Sequence, residues 1–139
     1  MKVQTSTLNI PTKGMGDAID LTAQVNTLLR RSGLTDGTAT VFVPGSTAGV
    51  TTIEFEPGVV GDLQQAFERL VPQNIHYAHD ARWGDGNGFS HVRASLLGPS
   101  LTVPFSTGRL LLGTWQQIIL VDFDNRSRDR DVIVQIQGE

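Results

Sequence analysis

The chain has only three histidines in 139 residues, and two of them share one polar stretch. His79-Asp80 is followed by Asp85, Asn87 and His91, with Gly84, Gly86 and Gly88 interleaved. Two imidazoles and the carboxylates between them are the donor types of a divalent-metal site, because neutral imidazole and carboxylate suit zinc and related ions. The same groups suit acid–base work, since an imidazole titrates near neutrality. The glycines let the backbone curl so that these side chains converge. A plainer reading carries equal weight: a polar loop in which Asp85 and Asn87 are turn residues and Asn87 caps the helix that follows. His76 reads as a surface or packing histidine.

Three other groups of residues have chemical potential. Val43-Pro44-Gly45-Ser46-Thr47-Ala48-Gly49 is a small-residue loop whose backbone N–H groups and hydroxyls can form an anion nest. It is not a Walker loop, because no Gly-Lys-Ser/Thr follows, and an ordinary tight turn is the commoner outcome for so short a motif. Glu54 and Glu56 share one face of a predicted strand, with Ile53 and Phe55 on the other. A solvated face is their commoner role, unless Glu54 meets His79 or His91. Arg126, Arg128 and Arg130 fall on one face of an extended chain and suit phosphate. The neighbouring Asp122, Asp124, Asp129 and Asp131 are as dense, so ion pairing is the favoured reading. In Leu112-Gly113-Thr114-Trp115-Gln116-Gln117, Gly113 suggests a bulge. Trp115 there reads as core or subunit interface, and Gln116 as a hydrogen-bonding partner for a ligand.

The elements that must hold these groups follow from periodicity. Strands are predicted at 3–10, 38–43, 51–55, 101–105, 110–113, 115–123 and 132–136, on β-branched content and alternation. Helices are predicted from Thr22 as cap to Ser32-Gly33, from Val60 to Leu70, and over 89–97. Residues 11–16, 74–90 and 124–129 read as turns and loops. Strands and helices mix without strict βαβ alternation and without a linker. The expected fold is therefore one compact α+β domain over 1–139, mostly antiparallel sheet with about three helices.

Composition excludes several classes. With no cysteine there is no disulfide, thiolate zinc site, iron–sulfur cluster or cysteine nucleophile. A net charge of −3 argues against a general nucleic-acid binder. Charged residues make up 18%, below the usual ~25%, and hydrophobic residues 39%, which is too apolar for a disordered chain. The longest purely apolar run, Ile118–Val121, is far short of the ~20 residues of a membrane span. The start of the chain has no apolar signal core, so a cytoplasmic protein without membrane association is expected.

The order of motifs resembles the YjbQ family, whose members are described as secondary thiamine-phosphate synthase-like proteins. The residues that carry the resemblance are Gly45-Ser46-Thr47-Ala48-Gly49 with Glu54, Tyr77-Ala78-His79, Asn87 to His91, Leu111 to Gln117, and Arg128-Asp129-Arg130. It covers nearly the whole chain, most specifically residues 43–138. The resemblance implies an α+β fold and a homotrimer with polar pockets near subunit boundaries. It also implies a thiamine-phosphate synthase activity, joining a pyrimidine diphosphate to a thiazole phosphate with loss of pyrophosphate. His79, Asn87 and His91 match the family's retained polar positions, Glu54 its strand glutamate, and Thr47 and Ala48 its small-residue loop. Two positions depart: the family's loop histidine is Gly45 here, and its asparagine before the glutamate is Ile53.

The expectation is thus a polar cleft with catalytic Glu54, His79, Asp85, Asn87 and His91. Ser46, Thr47, Ala48, Gly49, Gln116 and Arg128 are expected to bind a small phosphorylated or anionic ligand. His79 and His91 are expected to hold a divalent metal, zinc or magnesium. A non-catalytic trimer that binds an anion or a metal, or a metal-assisted hydrolase, is the alternative.

Overall fold

The run Ile118–Phe123 is apolar at nearly every position because it is buried on both faces. In a strand, successive side chains point to opposite sides. Ile118 and Leu120 enter one hydrophobic cluster, and Ile119, Val121 and Phe123 enter another. This strand is the centre of the molecule, and the layers on either side are set by it. The computed structural model describes residues 1–139.

The elements in chain order are β1 (Lys2–Thr12), β2 (Asp17–Asp20), α1 (Thr22–Ser32), β3 (Gly37–Phe42), β4 (Ala48–Ile53), α2 (Pro57–Leu70), α3 (Ala78–Trp83), α4 (Gly88–Leu97), β5 (Ser100–Ser106), β6 (Arg109–Leu110), β7 (Gln117–Asp122) and β8 (Arg128–Gly138). They form a five-stranded sheet, β1-β8-β3-β5-β6, and a three-stranded sheet, β2-β7-β4. All strand pairs are antiparallel. The larger cluster lies between the two sheets and is closed by Leu21, Val25 and Leu29 of the α1 region. The smaller cluster lies on the other face of β7, where Phe67 of α2 and Ala94 of α4 cover it. Phe67 and Phe123 meet there with ring centroids 4.8 Å apart. The domain is α+β and mostly antiparallel, as expected.

The alternation of β8 matters most for the site. Val132, Val134 and Ile136 are buried while Asp129, Asp131, Gln135 and Gln137 are exposed. The same period carries Arg130 inward, at the end of the sheet, to 5% exposure.

Several local expectations are corrected. The three expected helices are present, and residues 78–83 of the predicted loop add the short α3. A strand, β2, occupies residues 17–20 beyond the predicted turn, pairing Asp17 with Asp122. Thr22 is not the cap of α1; it is the first helical residue, and its hydroxyl accepts the Ile118 N–H at 2.9 Å. α2 begins at Pro57, not Val60. Proline tolerates the first turn, where its missing N–H would have no partner. Glu56 therefore caps this helix, accepting from Gly58 N–H at 3.0 Å and Val59 N–H at 2.5 Å. It does not share a strand face with Glu54, since β4 ends at Ile53. Phe55 is 40% exposed rather than core. β6 is only two residues long, and 111–116 is irregular. Trp115 is 73% exposed, so it is not core. The turn after β7 is shorter than expected, because β8 begins at Arg128.

Candidate metal and anion site

α3 presents His79 and Asp80 in its first turn and ends at Gly84, which adopts the left-handed conformation at φ 72°. Gly86 does the same at φ 69° and turns the chain back toward α4. Asn125 holds this turn by donating to the Asp85 carbonyl at 2.9 Å. Gly88 opens α4, and its N–H donates to Asp80 Oδ1 at 2.8 Å. A Cβ at 88 would lie 2.6 Å from Tyr77 Cβ, so only glycine lets the two helices approach this closely. The approach places the imidazoles of His79 and His91 with ring centroids 4.4 Å apart, tilted by 44°.

Two carboxylates face His79. Its Nδ1 lies 3.3 Å from Asp85 Oδ1 and 3.5 Å from Asp80 Oδ1. These three donors all fall within 4.8 Å of one another. His79 Nδ1 is a buried atom without a hydrogen-bond partner. A buried donor or acceptor left unmade is costly and asks for an explanation. A cation supplies one. Ligands ~2.1 Å from a tetrahedral zinc lie about 3.4 Å from each other. The two His79 separations match that spacing, and the donor set is the nitrogen-and-oxygen set that zinc accepts. The three residues thus offer donors of the kind a divalent metal takes.

α4 is anchored from behind. Ser90 Oγ donates to the Phe123 carbonyl. The buried Arg93 donates from Nε and Nη2 to the Val71 carbonyl at 3.0 and 2.9 Å and pairs with Glu68 at 2.7 Å. The hydrogen bond from Arg93 holds the Glu68 carboxyl below its ordinary range.

Below the histidines lies a buried charge network. Arg130 donates from Nε and Nη2 to both oxygens of Asp122, each at 2.8 Å, and Nη2 also donates to Thr47 Oγ1 at 2.7 Å. Thr12 donates to Asp122 at 2.6 Å. Asp124 accepts from Thr47 Oγ1 at 3.2 Å, from Asn87 Nδ2 at 3.3 Å and from Arg128 Nη1 at 3.1 Å. One set of side chains thus ties the 45–49 loop to Asn87, the residue before α4. Asn87 sits at the cap position of α4, but its side chain makes no cap bond and goes to Asp124 instead.

Burial would raise both aspartates, but their hydrogen bonds and neighbouring arginines outweigh it. Asp122 is lowered by the hydrogen bonds from Arg130, Thr12 and the Asp124 N–H and by the Arg130 charge. Asp124 is lowered by the Asn125 N–H, Asn87, Thr47 and the charge of Arg128. A carboxyl whose folded pKa is depressed gives stability that is present above its unfolded value and lost as pH falls through the folded one. Denaturant midpoints are therefore expected to hold from pH 7 to pH 5 and to fall progressively below about pH 4. Asp122→Asn should lose less on acidification than the parent. An identical acid profile in the two proteins would refute the assignment.

The expected site residues are only partly brought together. His79, Asp85, Asn87 and His91 meet in one region. Gly45, Ser46, Ala48 and His91 line one pocket of about 230 Å³ with Ala94, Ser95 and Pro99. Thr47 is buried below it, and Gly49 packs against Gly98 and Leu97. Glu54 lies exposed in the β4–α2 connection, outside the histidine–carboxylate group. Gln116 donates to Thr52 and accepts from the Gly113 N–H, and it lines a different pocket. Arg128 pairs through Nη1 with Asp124 and keeps part of its side chain exposed. Asp80 and Arg130 are the residues the spacing arguments undervalued. Asp80 adjoins His79 in sequence, and strand alternation from Val132 would have placed Arg130 inside.

A family model described as UPF0047 protein YjbQ-like matches residues 6–139. The UPF0047 protein of Methanothermobacter thermautotrophicus is 37% identical over 139 residues, covering 100% of this chain and 95% of the relative. The UPF0047 protein YugU of Bacillus subtilis is 35% identical, covering 95% and 98%. Among solved structures, a YbjQ-like protein of unknown function from Sulfolobus solfataricus superposes with a TM-score of 0.94 at 30% identity, over 99% of each chain. No helix here is long and apolar enough to cross a membrane.

Proposed function

The chain belongs to the YjbQ-like UPF0047 family, and from that premise we propose that it holds a divalent cation at His79, Asp80 and Asp85, with His91 beside them, and acts there on a small phosphorylated molecule. The observation that carries this reading is the buried, unpartnered His79 Nδ1 at ligand–ligand distance from two carboxylates. A zinc or magnesium ion bound there would neutralise charge building on phosphate oxygens.

The chain's own residues do the rest. Asp80 is fixed by the Gly88 N–H, so it cannot swing away from His79. His91 lines the pocket and lies against His79 at a tilt, which places an imidazole where a proton can be given to, or taken from, a ligand oxygen. In the synthase reading, pyrophosphate leaves the pyrimidine diphosphate with the bonding electron pair, and the thiazole phosphate takes its place. Exposed Leu111 (58%) and Trp115 (73%) are apolar surface that assembly between copies, in our reading as a homotrimer, would cover.

The test is turnover by the zinc- or magnesium-loaded full chain of a pyrimidine diphosphate with a thiazole phosphate. Product is expected, with a fall of about 10²–10⁴-fold in His91→Ala, the range for a lost acid or base. Ligand binding without product would make the protein a binder rather than a transferase. Release of inorganic phosphate alone would make it a hydrolase. Absence of both turnover and binding would overturn the reading.

A further inference from the structure

The 45–49 loop has donors that nothing in the protein uses. The backbone N–H groups of Gly45, Ser46 and Thr47 donate to no backbone or side-chain acceptor. They are consecutive, and successive free N–H groups in a turn are how protein backbones cradle anions. Gly45 stands at φ 122°, a conformation that side-chain-bearing residues rarely adopt.

A second observation lies beneath the loop. Arg130 is 5% exposed, and its Nε and Nη2 are spent on Asp122 and Thr47, yet Nη1 has no partner. That nitrogen lies 3.3 Å from the point where a Cβ at position 45 would stand. The absent side chain leaves the way to it open. A guanidinium with one unspent amino group under the position of Gly45, in a loop that also has three unspent backbone donors and the Ser46 hydroxyl, is a set of donors without an acceptor in the protein.

We propose that the Gly45–Thr47 backbone and Arg130 Nη1 form a cradle for a tetrahedral oxyanion, the terminal phosphoryl group of a phosphate or diphosphate ester, and that Gly45 is required for access to it. The inference rests on the pocket of the proposed function but not on its metal. Asp122 and Asp124 balance Arg128 and Arg130 in charge, so the cradle selects by directed N–H donors rather than by net positive field. Planar carboxylates present fewer oxygens to such a set. Gly45 and Ser46 also line the pocket that His91 lines, so the outer part of the cradle faces the histidine side of the site.

The test is calorimetric titration of inorganic pyrophosphate into the EDTA-treated full chain, with circular dichroism on each variant. The untreated and zinc-loaded proteins are measured in parallel. The metal-free parent should bind one pyrophosphate per chain. Gly45→Ala, which puts a methyl group against Nη1, and Arg130→Lys, which keeps the charge but removes the fork, should each weaken binding by about ten- to a hundredfold. Zinc uptake should be unchanged in Gly45→Ala. If one variant fails to fold, the other decides. Equal affinity in a folded variant and the parent would overturn the cradle. So would a parent that binds pyrophosphate only when zinc is present, an outcome that leaves the cation site standing. Binding without metal in a protein that takes up no zinc would remove the cation site and leave the cradle.

Discussion

Arg130→Ala is expected to lower the unfolding free energy by about 3–5 kcal/mol near neutral pH, a large effect for one side chain. Asp122 is fully buried and Arg130 nearly so, and they share a two-point bond. Removing the arginine strands a carboxylate that has no water to turn to. Thr12 and the Asp124 N–H remain but carry no full positive charge. Part of the loss would be relieved by protonation, so the variant should also be less stable at pH 8 than at pH 6. The same change frees Thr47 Oγ1, which now accepts from Arg130, so the 45–49 loop loses one of the two side-chain bonds that anchor Thr47. Pairing Arg130→Met with Asp122→Leu should restore much of the stability, because a well-packed apolar pair avoids the desolvation cost. Denaturant unfolding of the parent, Arg130→Ala and the double variant measures both statements. A loss below about 1 kcal/mol for Arg130→Ala, the size of an exposed pair, would mean that the network is not buried in solution.

His79→Ala is expected to weaken zinc binding at least a hundredfold. Loss of residues that only orient metal ligands typically costs about 10–100-fold, and a residue that donates directly should sit at or beyond that limit. Asp85→Asn keeps an oxygen but loses its charge and should fall between the two. Arg128→Ala, whose side chain pairs with Asp124, should leave zinc affinity unchanged. Competition against a chromophoric chelator reads all three. A His79→Ala protein with parental zinc affinity would place the metal elsewhere.

The parts of the fold legible in the sequence were those with long, regular burial. β7 could be read because its interior, Ile118–Val121, is apolar at every position, and α1, α2 and α4 because their apolar residues recur at helical spacing. α3 was hidden because six residues give too few turns for a periodic signal, and its flanking glycines look like loop. Glu56 looked like a strand residue because Ile53 and Phe55 bracket Glu54 in alternation. Pro57 was the contrary signal, since proline is favoured at the first helical position. For the site, the His79–His91 stretch could be identified because histidines are few and clustered. Glu54 could not be separated from it by spacing, because only the end of β4 at Ile53 decides where that side chain falls. Arg130 was obscured by its neighbours: an arginine among arginines and aspartates reads as surface, and arginine is seldom fully buried. Gly45 was legible as a departure from the family's loop histidine. Its consequence, an opening above the Arg130 guanidinium, needed the third dimension.

The central claim is that His79, Asp80 and Asp85 together hold one divalent cation. The most direct measurement is a crystal structure of the zinc-soaked full chain, with diffraction recorded on both sides of the zinc absorption edge. The expected result is one anomalous peak per chain at bonding distance from His79 Nδ1 and from a carboxylate oxygen of each aspartate, absent in His79→Ala. An ordered water at that position, or zinc bound only at other residues, would contradict the account.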